Sequence, residues 1–209
     1  MQNPTLTFSA ENNIICSSTS ELERIHEAPY NVALLSRRIA HLEPELKALL
    51  GRQLQFQKSG SVKDIGIALQ PYLHDNAAAC PRLYTDVLGL LQVFEQLSSG
   101  RNFSLLLATI DHDMCRRFHT DLNYLRLLCT YNGPGTLWLP DAHVDRQALY
   151  HGGSNEEIIP EARHIQQAES GQVVILKGER YPNGSAAVHR SPSLEADEPP
   201  RLLLRIDVN

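Results

Sequence analysis

What most constrains this chain is a change of texture after Arg101. Upstream, two segments carry helical spacing. Downstream, the apolar runs are short and strand-like: Phe103–Ile110, Leu125–Tyr131, Thr136–Leu139, Val173–Leu176, Ala186–Val188 and Arg201–Val208, separated by Gly, Pro, Asn or Ser. Helices followed by many short strands define an α+β chain whose second half closes on itself as a sandwich or barrel. The best helix runs from Pro81 to about Ser98. Leu83, Val87, Leu91, Phe94 and Leu97 step along one face, Leu90 widens the stripe, and Gly100 is expected to close it. A shorter helix starts near Glu43, with Pro44 in its first turn and Gly51 as its stop. Val62–Leu73 has a weaker helical pattern, cut by Pro71. Leu6–Phe8 and Ile14–Cys16 are short β-prone pieces, and Asn31–Leu35 is an apolar run without a clear period.

A chain of 209 residues that is 42% hydrophobic and 21% charged has the length and composition of one ordinary globular domain. The expected division is a mainly helical support over residues 1–101 and a β-core over 102–209, with a polar excursion at 141–170 that reads as a lid. The net charge of −5 and the lack of any Lys/Arg run argue against nucleic-acid binding. No apolar run approaches the ~18 residues that span a bilayer, and no secretory leader is readable, so a cytoplasmic protein without a membrane partner is expected. Cys16, Cys80, Cys115 and Cys129 form no Cys-x-x-Cys pair and are expected as free thiols.

Chemistry concentrates in the segment Cys115–Pro140, CRRFHTDLNYLRLLCTYNGPGTLWLP. His119 and Asp121 form a His-x-Asp pair between two expected strands, and His189 follows at a distance in AAVHRSP. Two imidazoles and one carboxylate are the donor set of a facial triad, which leaves open metal positions. The dipeptide alone is weak: composition predicts roughly half a match by chance, and the chain holds a second, His143/Asp145. That copy opens the polar excursion and reads as an exposed structural pair. A looser cluster, His112, Asp113, Cys115 and His119, offers zinc-type ligands at no recognised closed-site spacing.

In FHTD, RLLCTYNGPGTLWLP, GQVVILKGERYP, AVHRSP and RLLLRIDV, about the C-terminal half of the chain resembles the Fe(II)/2-oxoglutarate-dependent oxygenases. The overall likeness is greatest to an uncharacterised bacterial family known only as a domain of unknown function. The oxygenase resemblance implies N-terminal helices packed on a double-stranded β-helix, a jelly-roll or cupin-like barrel. It implies Fe(II) on His119, Asp121 and His189, and 2-oxoglutarate held by Arg201, with Arg205 as competitor and Tyr131 as a further donor. A guanidinium fork suits a carboxylate. Arg126 and Tyr131 lie five positions apart on one strand and should face opposite sides. The implied activity is hydroxylation of a small-molecule or protein substrate, in a monomer or an oligomer. A non-catalytic zinc- or iron-handling protein and a cupin-like isomerase are the alternatives.

Overall fold

The computed structural model describes residues 12–76, 80–112, 114–194 and 199–208. The expected strand Leu6–Phe8 and the side chain of Asp113 lie outside them. Among the described residues, ten strands form two sheets. The larger draws on β1 (Asn13–Cys16), β2 (Val32–Leu35), β3 (Gln55–Gly60), β4 (Phe103–Ile110), β5 (Leu125–Asn132), β8 (Val173–Lys177) and β10 (Arg201–Val208), in the spatial order β1-β2-β8-β5-β10-β4-β3. The smaller places β6 (Leu137–Leu139) between β7 (Gln166–Gln167) and β9 (Val188–Arg190). Apart from the parallel β1–β2 pair, neighbours are antiparallel. Among the described residues, no helix is long and apolar enough to cross a membrane.

The N-terminal half is therefore more than a helical support, because it supplies three of the seven strands in the large sheet. β1 and β2 fall on the β-prone Ile14–Cys16 and the apolar Asn31–Leu35, whereas composition hid β3. In β3 only Phe56 is buried, and its other positions are Gln, Lys, Ser and Gly. This is an edge strand made by pairing with β4, and its charge and polarity suit an unpaired outer edge.

Period-2 alternation gives the large sheet two different faces. Leu202, Leu204, Ile206 and Val208 of β10, with Leu125, Leu127, Cys129 and Tyr131 of β5, join one cluster under the helices. After the short α1 (Glu43–Leu49), helices α2 (Val62–Asn76) and α3 (Pro81–Ser98) cover that face. Leu83, Val87, Leu90, Leu91, Phe94 and Leu97 of α3 are all buried, as the stripe requires. Ser99, at φ 50°, takes the left-handed position that ends α3. Gly100 serves instead a close approach: a Cβ there would stand 2.7 Å from Val208 Cγ2. α2 runs unbroken through Pro71. Ile65, Leu69 and Leu73 repeat every four residues and are fully buried, so packing outweighs the hydrogen bond lost at proline.

The opposite face looks toward the small sheet. Leu106, Ala108 and Ile110 of β4, Leu128, Val174, Leu176 and Leu203 pack there with Trp138, Ala168 and Ala187. Arg126 and Thr130 of β5, and Arg201, Arg205 and Asp207 of β10, share the parity of this inner face. Charged residues therefore sit at inward positions of the two interior strands β5 and β10, where packing alone would favour hydrophobes.

On the helix side, one clamp ties α3 to the sheet. Arg37 grips Asp86 with Nη1–Oδ1 at 2.6 Å and Nη2–Oδ2 at 3.0 Å, and its Nε donates to the Gly171 carbonyl at 2.7 Å. The Tyr131 hydroxyl donates to the same carboxylate at 2.6 Å. Removing one partner of such a largely buried pair typically costs about 3 kcal/mol, because a charge is left uncompensated. Asp86→Ala should lower unfolding free energy by about that amount in urea titrations. A loss under about 1 kcal/mol would mean that solvent already compensates Arg37.

Candidate metal centre

The site forms where the chain leaves β4 and approaches β9. Phe118 anchors the approach. It is buried with Leu139, Leu149, Ile158, Ile159 and Val188, and its N–H donates to Asn155 Oδ1 at 2.8 Å. The next residue, His119, exchanges two backbone hydrogen bonds with His189, each 3.0 Å. Residues distant in sequence thereby become cross-strand partners, with ring centroids 4.6 Å apart.

Both rings are oriented by the backbone. His119 Nδ1 lies 2.9 Å from the Arg117 carbonyl, and His189 Nδ1 lies 3.2 Å from that of Ala187. A carbonyl accepts only from N–H, so these contacts fix the proton on Nδ1 and leave Nε2 as the lone-pair donor, the arrangement usual for metal-ligating histidines. Both Nε2 atoms turn toward Asp121, at 3.2 Å from His189 to Oδ2 and 3.8 Å from His119 to Oδ1. One donor atom from each of the three residues lies within 4.8 Å of the other two. Among the described residues, this is the one group of three or more such side chains gathered to that degree.

Electrostatics favour the ligand protonation states. Burial would push the Asp121 carboxyl up, but the facing His189 ring and the Arg126 guanidinium outweigh it and hold it at about 2. Burial, followed by the neighbouring His189, pushes His119 below its ordinary range. A carboxylate and a neutral imidazole are what a metal needs at neutral pH. Asp121 Oδ2 is buried between the Arg126 guanidinium and His189 Nε2, which aims the carboxylate at the two imidazoles. Two imidazole nitrogens and a carboxylate oxygen fit Fe(II), with zinc also accepting them.

The three cofactor candidates fall in three different places. Arg205 pairs with Asp207 at 3.1 Å and is neutralised there. Asp207 also accepts from Arg126 Nε at 2.5 Å and from Asn123 at 3.0 Å, while Arg126 reaches on to Asp121. Tyr131 does not reach the inner face. Its parity sends it to the helix side, where its hydroxyl is committed to Asp86 and burial raises its pKa. Arg126, five positions away, points inward as that parity demands.

Arg201 differs from both. It is 1% exposed and has no carboxylate partner among the described residues. Its Nη2 donates to Thr130 Oγ1 at 3.1 Å, its Nε has no acceptor, and burial lowers its pKa to about 10. Room for it is made by the Gly-Pro-Gly-Thr turn. Gly133 has φ +87°, and a Cβ there would stand 2.8 Å from Arg201 Cγ. Gly135 lets the chain pass the Ala168 carbonyl, which a Cβ would meet at 2.2 Å.

The excursion at 141–170 is pinned as a wall. It contains α4 (Arg146–Tyr150) and α5 (Asn155–Ile158), and buries Leu149, Ile158 and Ile159 against Phe118. Arg117 donates to the carbonyls of Gly153 and Leu149 at 2.8 and 2.6 Å. Asp145, of the second His-x-Asp copy, caps α4 by accepting from Ala148 N–H at 2.9 Å, and His143 stacks on His164. Arg117→Ala should free this wall. Losing hydrogen bonds from a charged donor, about 1.5–3 kcal/mol each, should raise the rate of proteolytic cleavage within 146–158 by tenfold or more. An unchanged rate would show that the apolar contacts suffice.

His112 pairs instead with the adjacent Asp111, and all four cysteines are free, with Cys115 exposed and the others buried. Arg126, Asp207, Thr130 and Arg117 were not singled out from sequence as site residues. Strand parity was the signal for the first three; for Arg117 there was none beyond proximity to FHTD.

The α+β fold thus gathers a two-histidine, one-carboxylate donor set, and the inner face of its large sheet also carries a buried arginine with no carboxylate partner among the described residues. The chain belongs to the family described as protein of unknown function DUF1826, whose model matches residues 17–207. No curated protein matches it. Among solved structures it is similar to the dioxygenase for auxin oxidation of rice, with TM-score 0.48 and 13% identity over 94% of this chain and 82% of that one. The auxin-oxidation dioxygenase of Arabidopsis thaliana, described as a 2-oxoglutarate complex, gives TM-score 0.46 and 9% identity over 94% and 91%. A Pseudomonas putida prolyl-4-hydroxylase gives 0.45 and 10% over 91% and 98%. The functional reading below rests on the site's own residues.

Proposed function

We propose that this protein is a non-haem Fe(II)/2-oxoglutarate-dependent oxygenase built on a double-stranded β-helix. Arg201 is the observation that carries the reading. A buried guanidinium without an anion is costly, and it lies on the same inner face as the triad, with Thr130 already beside it. A dicarboxylate that chelates the metal at one end and presents its other carboxylate to Arg201 satisfies both groups. 2-Oxoglutarate has that form. Fe(II) with 2-oxoglutarate and dioxygen supplies the oxidation of a C–H bond; the protein's contribution is positioning.

His119 and His189 would hold the metal through Nε2, with Nδ1 fixed by the Arg117 and Ala187 carbonyls. Asp121 would complete the set, steadied by Arg126 and, through it, by Asp207. Arg205 helps to hold Asp207 and is not assigned to the co-substrate. The packed 141–170 segment walls the site on the Phe118 side.

The test is anaerobic titration of folded, Fe(II)-loaded protein with 2-oxoglutarate. A visible metal-to-ligand charge-transfer band is the expected result, and its absence would overturn the proposal. A zinc- or iron-handling protein with no organic ligand would leave Arg201 unexplained. That reading would be favoured by one zinc per chain that neither iron nor 2-oxoglutarate perturbs.

A further inference from the structure

A second inner-face group lacks a partner. Trp138 is 3% exposed, and its indole Nε1–H is buried without an acceptor. A buried indole N–H ordinarily finds one. Trp138 lies opposite His189 in the antiparallel β6–β9 pair. Its flanking residues, Leu137 and Leu139, pack with the Phe118 cluster, while Trp138 itself packs in the inter-sheet space. Cross-strand neighbours hold their side chains side by side on one face, so the indole stands next to a proposed metal ligand.

We propose that Trp138 donates its indole N–H to an oxygen of the organic co-substrate at its metal-chelating end. This rests on the 2-oxoglutarate reading and adds a binding residue to it. Arg201 and Trp138 divide the work. The arginine enters from the start of β10, beside the β5–β6 turn, and takes the distal carboxylate. The indole, opposite His189, takes an oxygen at the triad. A fixed neutral donor there selects ligands with an acceptor beside the metal, and the rigid ring orders few bonds on binding. Nothing else among the described residues offers that donor an acceptor, so binding removes an unsatisfied group.

Trp138 is the chain's single tryptophan, so global replacement of tryptophan by its sulfur isostere, 3-benzothienylalanine, alters this one site. The ring shape is kept and the N–H is lost. Manganese-loaded wild-type, isostere-substituted and Trp138→Phe proteins would be titrated calorimetrically with 2-oxoglutarate. Manganese occupancy and circular dichroism would be measured before ligand is added. With metal and fold unchanged, Kd for 2-oxoglutarate should rise by about tenfold in both altered proteins, the scale of one hydrogen bond to a charged acceptor. If the isostere binds like wild type while Trp138→Phe weakens, the indole acts by packing alone and the proposal is overturned. Equal binding by all three overturns it as well. Wild type that holds manganese and does not bind 2-oxoglutarate would bring down the underlying functional reading, and this assignment with it.

Discussion

Arg201→Met is expected to abolish measurable 2-oxoglutarate binding while leaving the protein at least as stable as wild type. The two halves of this result have opposite signs for one physical reason. The guanidinium is buried without a carboxylate, so the ligand-free fold bears the cost of desolvating a charge. Methionine is similar in length, fills the channel beside Gly133 and carries no charge. Urea unfolding of the metal-loaded, ligand-free variant should therefore show a gain of about 1 kcal/mol or more, in line with replacements of buried charges by hydrophobes. Binding loses two charge-assisted hydrogen bonds of about 1.5–3 kcal/mol each, so Kd should rise at least a hundredfold. Arg201→Lys should fall between, since it keeps the charge and loses the fork. A methionine variant that still binds 2-oxoglutarate tightly would remove Arg201 from the site. One that binds weakly because it is unfolded would show up in the urea curve.

His189→Ala is expected to empty the metal site. Outer partners of metal ligands usually contribute about 10–100-fold in affinity, and a direct ligand contributes more. Metal per chain, measured by plasma mass spectrometry after gel filtration, should fall from near one to below about one tenth. The backbone pairing of His119 with residue 189 uses main-chain atoms and survives the substitution. Loss of metal with an intact circular dichroism spectrum is therefore the specific signature, and unchanged metal content would remove His189 from the centre. Acid should mimic the variant. Burial, followed by the neighbouring His189, holds the His119 pKa below the ordinary imidazole range, which favours the neutral ligand form at pH 7. Metal retention should weaken as the solution is acidified below neutral and protons begin to compete for His119. Asp121, held at about 2, stays ionised throughout that window.

Much of this was readable from the residues, and the unread parts have identifiable causes. α3 carries a strong helical period, β4 and β10 are apolar strand-like runs, and all three appear where those signals put them. β3 carries almost no apolar signal, because an edge strand with one buried side chain is specified by its neighbour. His119, Asp121 and His189 could be named, but their convergence depends on a two-residue bridge between segments far apart in the chain, which no local pattern encodes. Tyr131 lies on the helix side because strand parity, and not the position implied by the family resemblance, sets its direction; the five-residue offset from Arg126 separates the two. Arg201 and Arg205 share parity, so sequence could not choose between them. Asp207 decides, by occupying one and leaving the other bare. The excursion at 141–170 looked loose because it is polar; its few apolar residues close on Phe118, and Arg117 binds its carbonyls.

The position of β10 has a consequence for how the molecule comes into being. Residues 201–208 are the last strand described, yet they fill the middle of the large sheet, between β4 and β5. During synthesis those two strands wait as open edges, the state most exposed to wrong pairing. The ribosome must deliver β10 before they can be joined. The same delivery brings Arg201, so the inner face gains its proposed carboxylate-binding residue only in the step that seals the sheet. A nascent chain stalled before residue 201 would carry His119, Asp121 and His189, all three proposed metal ligands, and neither a closed sheet nor Arg201.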